Sequence, residues 1–277
     1  MDREAYFINS LIKHNITHKI GDDGVLIDKF VYAMDLFCEG VHFLVPHFSY
    51  YTIAKKAFLV NISDILAMGA KPKYALLGIS FSHKMTKGDI CELQRGFSDI
   101  CREFNIKIIG GDTIKDAKLN IAITMIGDSV KKPILRSNFR IGDIVFYTRD
   151  LGKSSKDMRY LYRGGKIPQR SKFFTPKLHA HFIYDILPFV RGGMDISDGL
   201  FYELNRISAK NNVRFQFLKP INRKNALSGE EYEFLFSIAK KDENRLQRIA
   251  KKHRLKIVKL ARIVRGKERF HCVGHHQ

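Results

Sequence analysis

Closely spaced cysteines are missing from this sequence. Its four cysteines, Cys38, Cys91, Cys101 and Cys272, lie far apart and form no CxxC pair. This spacing fits neither a disulfide-stabilised secreted domain nor a zinc knuckle. We therefore predict a protein of the reducing cytoplasm.

Long apolar segments are also absent. No run approaches the roughly 20 residues that a membrane-spanning helix needs. The N-terminal residues Met1-Asp2-Arg3-Glu4 do not start a basic segment followed by an apolar one, so they predict no signal peptide. The chain is nevertheless 45% hydrophobic and 12% aromatic, which is enough for a packed core. We expect a folded protein with no membrane partner.

Acidic residues are scarce: 28 Asp and Glu stand against 48 Lys and Arg, a formal net charge of +20. Such a charge attracts nucleic acid, anionic lipid or a phosphorylated metabolite. In residues 240–269, however, the basic residues alternate with apolar ones, as on the outer face of a folded helix and strand. The sequence has no RNP-type motif, zinc finger or basic tail. We favour a solvated surface, and a basic nucleic-acid-binding protein is the alternative from another functional class.

The common nucleotide-binding and hydrolase motifs do not occur. There is no GxxxxGK[ST] loop, and neither HRD nor DFG is present, which excludes a P-loop enzyme and a protein kinase. Gly152-Lys153-Ser154-Ser155 is not a nucleophile elbow. Any phosphate chemistry must therefore use another kind of site.

The pattern of apolar residues predicts two halves that each mix helices and strands. In the first half we predict helices over 2–13, 49–68 and 86–104, and strands over 24–27, 30–34, 74–81, 107–109 and 119–126. In the second half we predict strands over 143–148, 194–196, 213–218, 232–239 and 256–264, and helices over 177–187, 200–210 and 242–253. Gly127–Pro133 interrupts the pattern and marks a domain boundary. Because neither half follows strict βαβ alternation, we predict an α+β fold with domains 1–130 and 131–277.

Several of the few acids lie at predicted strand ends, most of them close to glycine or serine. They are Asp22 and Asp23, Asp35, Asp112, Asp195 and Asp198. Another acid, Asp64, lies in an apolar helix, where an unpaired carboxylate is costly to bury. Carboxylates that converge from separate strand ends suit a site for Mg²⁺ and a polyphosphate, and glycines let backbone N–H groups approach phosphate oxygens. For each acid alone the alternatives are an ordinary turn, a helix cap at Asp198 and a lysine partner for Asp64.

These motifs form an ordered series. It comprises Ile20-Gly21-Asp22-Asp23-Gly24, Asp35 with Glu39–Phe43, Asn61–Pro72, Gly110-Gly111-Asp112-Thr113, Met194–Leu200 and Leu227–Glu233. The series covers about residues 20 to 236 and resembles the thiamine-monophosphate kinases, within the superfamily of aminoimidazole ribotide synthetase-like ATP-binding enzymes. Asn61–Pro72 and Met194–Leu200 are its most specific segments.

The resemblance implies phosphorylation of thiamine monophosphate by ATP with the help of several Mg²⁺ ions. It also implies a two-domain aminoimidazole ribotide synthetase-like fold, whose N-terminal sheets pair across a homodimer and which binds ATP between its domains. The implied metal ligands are Asp23, Asp35, Asp64, Asp112, Asp195 and Asp198. The implied ATP contacts are Gly111, Asp112, Arg136 and Ser197, and the implied contacts to thiamine phosphate are His42, Glu230 and His275. Without the resemblance, an ordinary turn histidine is an equally good interpretation of His42. A surface arginine is then the favoured interpretation of Arg136.

Three segments depart from the family pattern. Ala33-Met34 stands where the family usually has Ser-Thr, and Ser228–Glu231 is shorter than the family's Ser-Gly-Gly-Glu-Asp. Gly274-His275 replaces a Gly-aromatic pair, and a histidine offers less stacking area.

Two sister families remain as alternatives. Selenide, water dikinase requires a reactive Cys or selenocysteine near the N-terminus, where Cys38 is the only thiol. The hydrogenase-maturation relatives require a C-terminal cysteine tail, which residues 272–277 do not resemble.

Overall fold

The structure is a computed structural model that describes residues 3–17, 20–128 and 132–272. Its helices are α1 (Arg3–Lys13), α2 (Tyr50–Ala67), α3 (Lys87–Phe104), α4 (Lys153–Tyr162), α5 (Ala180–Ile186), α6 (Leu200–Asn211), α7 (Arg223–Ala226) and α8 (Glu243–Lys252). Its strands are β1 (Val25–Ile27), β2 (Phe30–Cys38), β3 (Lys71–Ser82), β4 (Lys107–Asp116), β5 (Asn120–Asp128), β6 (Ile144–Thr148), β7 (Val190–Ile196), β8 (Val213–Phe217), β9 (Glu233–Ile238) and β10 (Ile257–Arg265). Val45–His47 and Lys240–Asp242 form short 3₁₀ helices.

The strands form two five-stranded sheets, with the orders β1-β2-β5-β3-β4 and β7-β9-β6-β10-β8. All strand pairs are antiparallel except β3 with β4, which is parallel. This mixture confirms the predicted α+β class. The first sheet ends at Asp128 and the second begins at Ile144, on either side of the predicted boundary. The division into domains 1–130 and 131–277 stays a prediction.

Helix α2 lies between the two sheets. Ser49 caps its N-terminus by accepting a 3.2 Å hydrogen bond from the Thr52 N–H, and Gly69 follows its end with φ +76°. Apolar residues surround the helix on nearly every side, which is typical of a helix that packs on more than one neighbour. It packs against β2, β3 and β5 of the first sheet and against β7 of the second. Residues of α2 therefore face both halves of the chain at once.

Strands β2 and β4 are among those that are longer than predicted, and their length corrects the local setting of two acids. Strand β2 pairs with β5 along its whole length, so Asp35 lies inside a strand and not at its end. Strand β4 continues through Gly110–Thr113, which the sequence suggested was a turn, so Asp112 also lies inside a strand. The strand can continue here because residue 111 is a glycine with φ +154°. A Cβ at this position would lie 1.9 Å from the Leu77 carbonyl oxygen. Pairing with a neighbouring strand therefore outweighs the tendency of Gly110 and Gly111 to indicate a turn.

The first sheet has one covered and one open face. Ala33 and Phe37 of β2 are buried on the side of α2, whereas Met34 and Leu36 between them are 54% and 55% exposed. Ile114 of the edge strand β4 is 58% exposed. The face of this sheet that points away from α2 thus carries several exposed apolar side chains. Within the described ranges, no helix combines the length and apolarity that crossing a membrane requires.

Candidate active site

Three carboxylates from distant parts of the chain meet where the two sheets face α2. Asp23 comes from the turn before β1, Asp64 from α2 and Asp195 from β7. One oxygen of each lies within 4.8 Å of one oxygen of both others. Asp23 and Asp195 are buried, and Asp64 is partly buried. The sequence predicted these three residues as ligands of one metal site, and the fold brings them together.

The electrostatics of this cluster oppose full ionisation. Burial, followed by the charges of Asp35, Asp195 and Asp23, raises the pKa of Asp64 well above its usual range. Burial and the charge of Asp23 likewise raise the pKa of Asp195. Asp35 and Asp64 share a side-chain hydrogen bond, and burial also raises the pKa of Asp35. A positive charge between these groups would favour their ionised forms.

The donor set of the cluster fits a hard divalent cation. Asp23 Oδ2 is buried and has no hydrogen-bond partner among the described residues. No lysine in the described ranges forms an ion pair with Asp64, so the alternative of a lysine partner is not supported. Carboxylate oxygens are the preferred ligands of Mg²⁺. Asp23, Asp64 and Asp195 are therefore suited to hold such an ion, with Asp35 beside them.

Arg136 lies against the same cluster. Its guanidinium donates to Asp23 Oδ1, and its backbone N–H donates a 2.7 Å hydrogen bond to Asp22 Oδ1. Burial works against its charge, but the carboxylates of Asp23 and Glu203 raise the pKa of Arg136. The sequence alone favoured a surface position for this arginine. The structure places it instead beside the carboxylates, where its side chain is 13% exposed.

A cavity of about 200 Å³ opens beside the carboxylates. It is lined by Asp35, Leu36, Phe37, His42, Val60, Asp64, Asp195, Ser197, Asp198 and Tyr232. Five of these, Asp35, Asp64, Asp195, Asp198 and Ser197, were predicted to bind metal or ATP, and His42 was predicted to contact the acceptor. The cavity thus has a carboxylate-rich part and an aromatic part.

His42 is held in the aromatic part. Its Nδ1 accepts a 3.0 Å hydrogen bond from the Cys38 N–H, which places the proton of a neutral ring on Nε2. Its ring stacks on Phe37 with centroids 5.4 Å apart. Phe37 in turn stacks on Phe43 at 5.1 Å. This histidine is a fixed part of the cavity wall.

Asp198 does not act as the helix cap that was its alternative role. Helix α6 begins after Gly199, and no side chain of the described residues caps it. Asp198 instead lies 3.4 Å from Arg206, and its backbone N–H donates to Glu203 Oε1 at 3.1 Å. Its carboxylate therefore belongs to the polar network next to the cavity.

Glu230 lies just behind the lining of the cavity. Its Oε2 accepts a 2.9 Å hydrogen bond from Lys56 Nζ, and both side chains are buried. Its backbone N–H donates to the Ser197 carbonyl at 2.6 Å. Glu230 and Tyr232 both have positive φ, +54° and +50°, which is uncommon for residues with side chains.

Gly111 and Asp112 lie apart from the cluster within one chain. Asp35 pairs with Ile123, Ile123 with Leu77, and Leu77 with Gly111, so three strand spacings separate Asp35 from Gly111. At about 4.8 Å per spacing this is about 14 Å. Asp112 is exposed on the edge strand β4. A single chain therefore does not bring Asp112 to Asp23 and Asp64.

Comparisons with known proteins bear on this geometry. The family described as AIR synthase related protein, N-terminal domain, matches residues 21–128. The thiamine-monophosphate kinase of Bacillus subtilis (strain 168) is 31% identical over 242 residues, which cover 79% of this chain and 74% of the relative. That of Buchnera aphidicola subsp. Acyrthosiphon pisum is 32% identical over 268 residues, covering 84% and 80%.

The chain belongs to the thiamine-monophosphate kinase family. Its fold agrees with this membership. A structure of AaThiL complexed with AMPPCP and TMP superposes with a TM-score of 0.83 at 24% identity, covering 95% of this chain and 91% of that chain. The predicted aminoimidazole ribotide synthetase-like fold is confirmed.

Family membership does not test the role of any single residue. The metal-binding roles of Asp23, Asp35, Asp64, Asp112, Asp195 and Asp198 stay predictions, as do the roles of Gly111, Arg136 and Ser197 at ATP and those of His42 and Glu230 at the acceptor. His275 lies outside the described residues, so its predicted contact with thiamine phosphate also stays a prediction.

Two side chains of this region were not predicted from the sequence. Lys56 and Ser63 both lie on α2 and contact Glu230 and Asp195, respectively. Lys56 carried the same signal that identified Asp64, because it is a charged residue in an apolar helix and lies two turns earlier. Ser63 carried no signal beyond its place next to Asp64.

Proposed function

We propose that this chain transfers the γ-phosphate of ATP to thiamine monophosphate and forms thiamine diphosphate and ADP. The observation that carries the proposal is the meeting of Asp23, Asp64 and Asp195 beside a cavity whose other part holds His42. Membership of the thiamine-monophosphate kinase family supports it, and so does the likeness to a structure that holds AMPPCP and TMP.

Mg²⁺ is the cation we assign to the cluster. Asp23, Asp64 and Asp195 would hold it, and Asp35 and Asp198 line the same cavity as further ligands. When bound, Mg²⁺ neutralises charge on the phosphate oxygens and helps to orient them. The support for this assignment is the orphaned Oδ2 of Asp23 and the raised pKa values of Asp64 and Asp195.

The acceptor needs no general base from the protein. The second pKa of a phosphate monoester is about 6, so at neutral pH the acceptor is mostly a dianion. One of its oxygens attacks the γ-phosphorus of ATP, and the bond from that phosphorus to the ADP oxygen breaks. The protein aligns the two phosphates and balances their charge. Arg136 and Ser197, beside the carboxylates, are assigned to the ATP phosphates, and His42 and Glu230 to the acceptor.

The predicted roles of Asp112 require a homodimer. The open face of the first sheet carries the exposed side chains of Met34, Leu36, Leu76 and Ile114. Contiguous exposed apolar surface of this kind is typical of a protein interface. We propose that this face pairs with the same face of a second copy, as the family resemblance implies. Asp112 lies on the edge strand of this sheet, so its predicted metal and ATP roles depend on the pairing.

The remaining assignments concern the basic surface of the chain and its location in the cell. Lys252 pairs with Asp185, Lys256 with Asp150 and Lys259 with Glu243, which supports a solvated basic face over a nucleic-acid surface. The four cysteines are unpaired thiols in the structure. This fits the predicted cytoplasmic location.

The proposal is tested by ADP release with a series of acceptors. The purified chain is assayed with ATP and Mg²⁺ and with thiamine monophosphate, free thiamine or no acceptor. We expect turnover with thiamine monophosphate, little with free thiamine, and none when Mg²⁺ is chelated. Equal turnover with free thiamine would contradict the mechanism, because a neutral hydroxyl needs a base that this account does not provide. A salt-dependent gel shift with nucleic acid and no acceptor-dependent turnover would favour the other functional class.

A further inference from the structure

The most deeply buried cation of the described residues lies on α2 and is not explained by the proposed chemistry. The side chain of Lys56 has no exposed surface, and that of Glu230, its partner at 2.9 Å, is 3% exposed. The two residues are 174 positions apart in the sequence. The ion pair therefore connects α2, in the first half of the chain, to the short segment before β9 in the second half.

Aromatic rings surround the ammonium group. Lys56 Nζ lies 4.1 Å from the ring centroid of Phe173, 5.4 Å from that of Phe48 and 6.0 Å from that of Phe37. Burial lowers the pKa of Lys56, and the Glu230 carboxylate opposes this. A buried ion pair often stabilises a fold no better than a well-packed apolar pair, since both charges lose their hydration. A role in stability alone thus accounts poorly for a charged pair in so apolar a setting.

The position of the pair relates it to the cavity. Lys56, Val60 and Asp64 are spaced by four residues, so they share one face of α2, and Lys56 lies about 12 Å from Asp64 along the helix. Val60 and Asp64 line the cavity. Phe37 lines it as well, and Lys56 Nζ lies 6.0 Å from the centroid of its ring. The pair is therefore directly behind the aromatic part of the cavity, away from the carboxylate cluster.

Backbone hydrogen bonds connect the segment that contains Glu230 to two residues that line the cavity. The Glu230 N–H donates to the Ser197 carbonyl at 2.6 Å, and the Tyr232 N–H donates to the Ile196 carbonyl at 2.8 Å. Ser197 and Tyr232 both line the cavity. Glu230 and Tyr232 have positive φ, a backbone conformation that is unfavourable for residues with side chains. Contacts with neighbouring residues must therefore stabilise this segment. Among the described residues, the Lys56 ion pair attaches this segment to α2, while Glu231 attaches it to the N–H groups of Gly152 and Ser154.

We propose that Lys56 is a positioning residue: its ion pair with Glu230 fixes residues 228–232 and so shapes the part of the cavity that receives thiamine monophosphate. The identity of that acceptor rests on the proposed function. Lys56 acts through the carboxylate of Glu230, which is assigned to the acceptor, and does not itself touch the substrate. Ser197, which is assigned to the ATP phosphates, contacts this segment only through its backbone carbonyl. Its loss therefore affects binding of the acceptor more than binding of ATP.

Steady-state kinetics of Lys56→Met test this proposal. The methionine keeps most of the apolar stem and removes the charge. We expect the KM for thiamine monophosphate to rise at least about fivefold while the KM for ATP changes less than about twofold. Lys56→Arg, which keeps the charge, should restore part of the loss. Because the two residues act together, Lys56→Met/Glu230→Gln should be no worse than the poorer single variant.

Lys55→Met is the matched control. Lys55 is the neighbouring residue on α2, pairs with Glu103 and lies away from the cavity, so its loss should leave both KM values unchanged. If Lys56→Met lowers the melting temperature but leaves the KM for thiamine monophosphate unchanged, the pair is only structural and the proposal is wrong. Equal increases in both KM values would also overturn it.

Hydrogen exchange provides a readout that does not depend on the reaction. The amides of Glu230 and Tyr232 should exchange faster in Lys56→Met than in the wild type, and at the wild-type rate in Lys55→Met. Unchanged exchange over residues 228–232 would refute the positioning role whatever the enzyme does. A wild-type protein without turnover on thiamine monophosphate would instead refute the proposed function, and the exchange result would still decide the role of Lys56.

Discussion

Ser63 Oγ donates a 2.7 Å hydrogen bond to Asp195 Oδ2, and both side chains are buried. Ser63 precedes Asp64 on α2, and Asp195 lies on β7 of the second sheet. This bond therefore connects the two halves of the chain at the carboxylate cluster. It also fixes the orientation of a carboxylate that is proposed to bind Mg²⁺.

We expect Ser63→Ala to lower both stability and metal affinity. The substitution leaves a buried carboxylate oxygen without its donor, which costs about 1–3 kcal/mol. A reoriented Asp195 should also raise the Mg²⁺ concentration needed for half-maximal turnover, by about tenfold. Thermal melts and a Mg²⁺ titration of turnover measure the two effects.

Ser171→Ala is the control for this variant. Ser171 is also buried and donates to an aspartate, Asp157, at 2.5 Å, but neither residue lines the cavity. Its loss should lower the melting temperature and leave the Mg²⁺ requirement unchanged. If Ser63→Ala behaves in the same way, the Ser63 hydrogen bond has no part in metal binding.

The stability of the metal-free protein should fall as the pH rises from about 5 to about 8. Burial raises the pKa of Asp64, of Asp195 and of Glu203, the last to about 7. A group with a raised pKa in the folded state binds its proton more tightly when folded. Its contribution is complete below the pKa of the unfolded chain, about 4, and is lost as the pH passes the raised pKa.

Mg²⁺ should reverse this loss, because the cation favours the ionised carboxylates. The increase in melting temperature on adding Mg²⁺ is therefore expected to be larger at about pH 8 than at about pH 5. Melts with and without Mg²⁺, with KCl added to match the ionic strength, measure this increase. An increase of the same size at both pH values would show that protons and Mg²⁺ do not compete for these carboxylates.

Local signals in the sequence were sufficient to predict most helices. The helix predicted over 49–68 is α2, Tyr50–Ala67, because Ser49 and Gly69 mark its ends in the sequence itself. The helix predicted over 86–104 is α3, whose capping box of Thr86 and Asp89 is equally local. Strand ends were predicted less well. Pairing of β2 with β5, and of β4 with β3, extends both strands past the charged or glycine residues at which the local pattern stops.

The candidate site could be predicted only in part for the same reason. The setting of Asp64 in an apolar helix and of Asp195 at a strand end pointed to a metal site. The pairing of Lys56 with Glu230 depends on contacts between residues far apart in sequence, which no local pattern contains. The separation of Asp112 from Asp35 depends on the strand order β2-β5-β3-β4, which a single sequence does not specify.

We expect Ile114→Lys to convert a dimer into a monomer. Ile114 is 58% exposed on β4, at the edge of the open face proposed to pair with a second copy. A lysine buried there without a partner would weaken the interface. Light scattering coupled to size-exclusion chromatography measures the mass of each variant. The control is Ile141→Lys, because Ile141 is similarly exposed, at 57%, but lies outside the first sheet. A wild-type monomer, or an Ile114→Lys dimer, would argue against this interface.

Asp64→Asn addresses the centre of the proposed site. The substitution keeps the size of the side chain and removes its charge and one anionic oxygen. Asp64 lines the cavity, lies within 4.8 Å of Asp23 and Asp195, and has no lysine ion pair among the described residues. If it binds Mg²⁺, the variant should fold and lose turnover by about 100-fold or more. Its metal-free melting temperature should equal or exceed that of the wild type, because one of several crowded carboxylates has been neutralised.

The pattern of these effects distinguishes metal binding from a structural role. In a structural role, Asp64→Asn would lower the melting temperature without Mg²⁺, and the folded fraction would turn over normally. In metal binding, the loss is confined to turnover and to the stabilisation that Mg²⁺ provides. Asp150→Asn is the control, since Asp150 pairs with Lys256 where both side chains are exposed and should tolerate neutralisation in both assays. Turnover of Asp64→Asn close to the wild-type rate would rule out the carboxylate cluster as the metal site, because a cation held by Asp23 and Asp195 would also lie against Asp64.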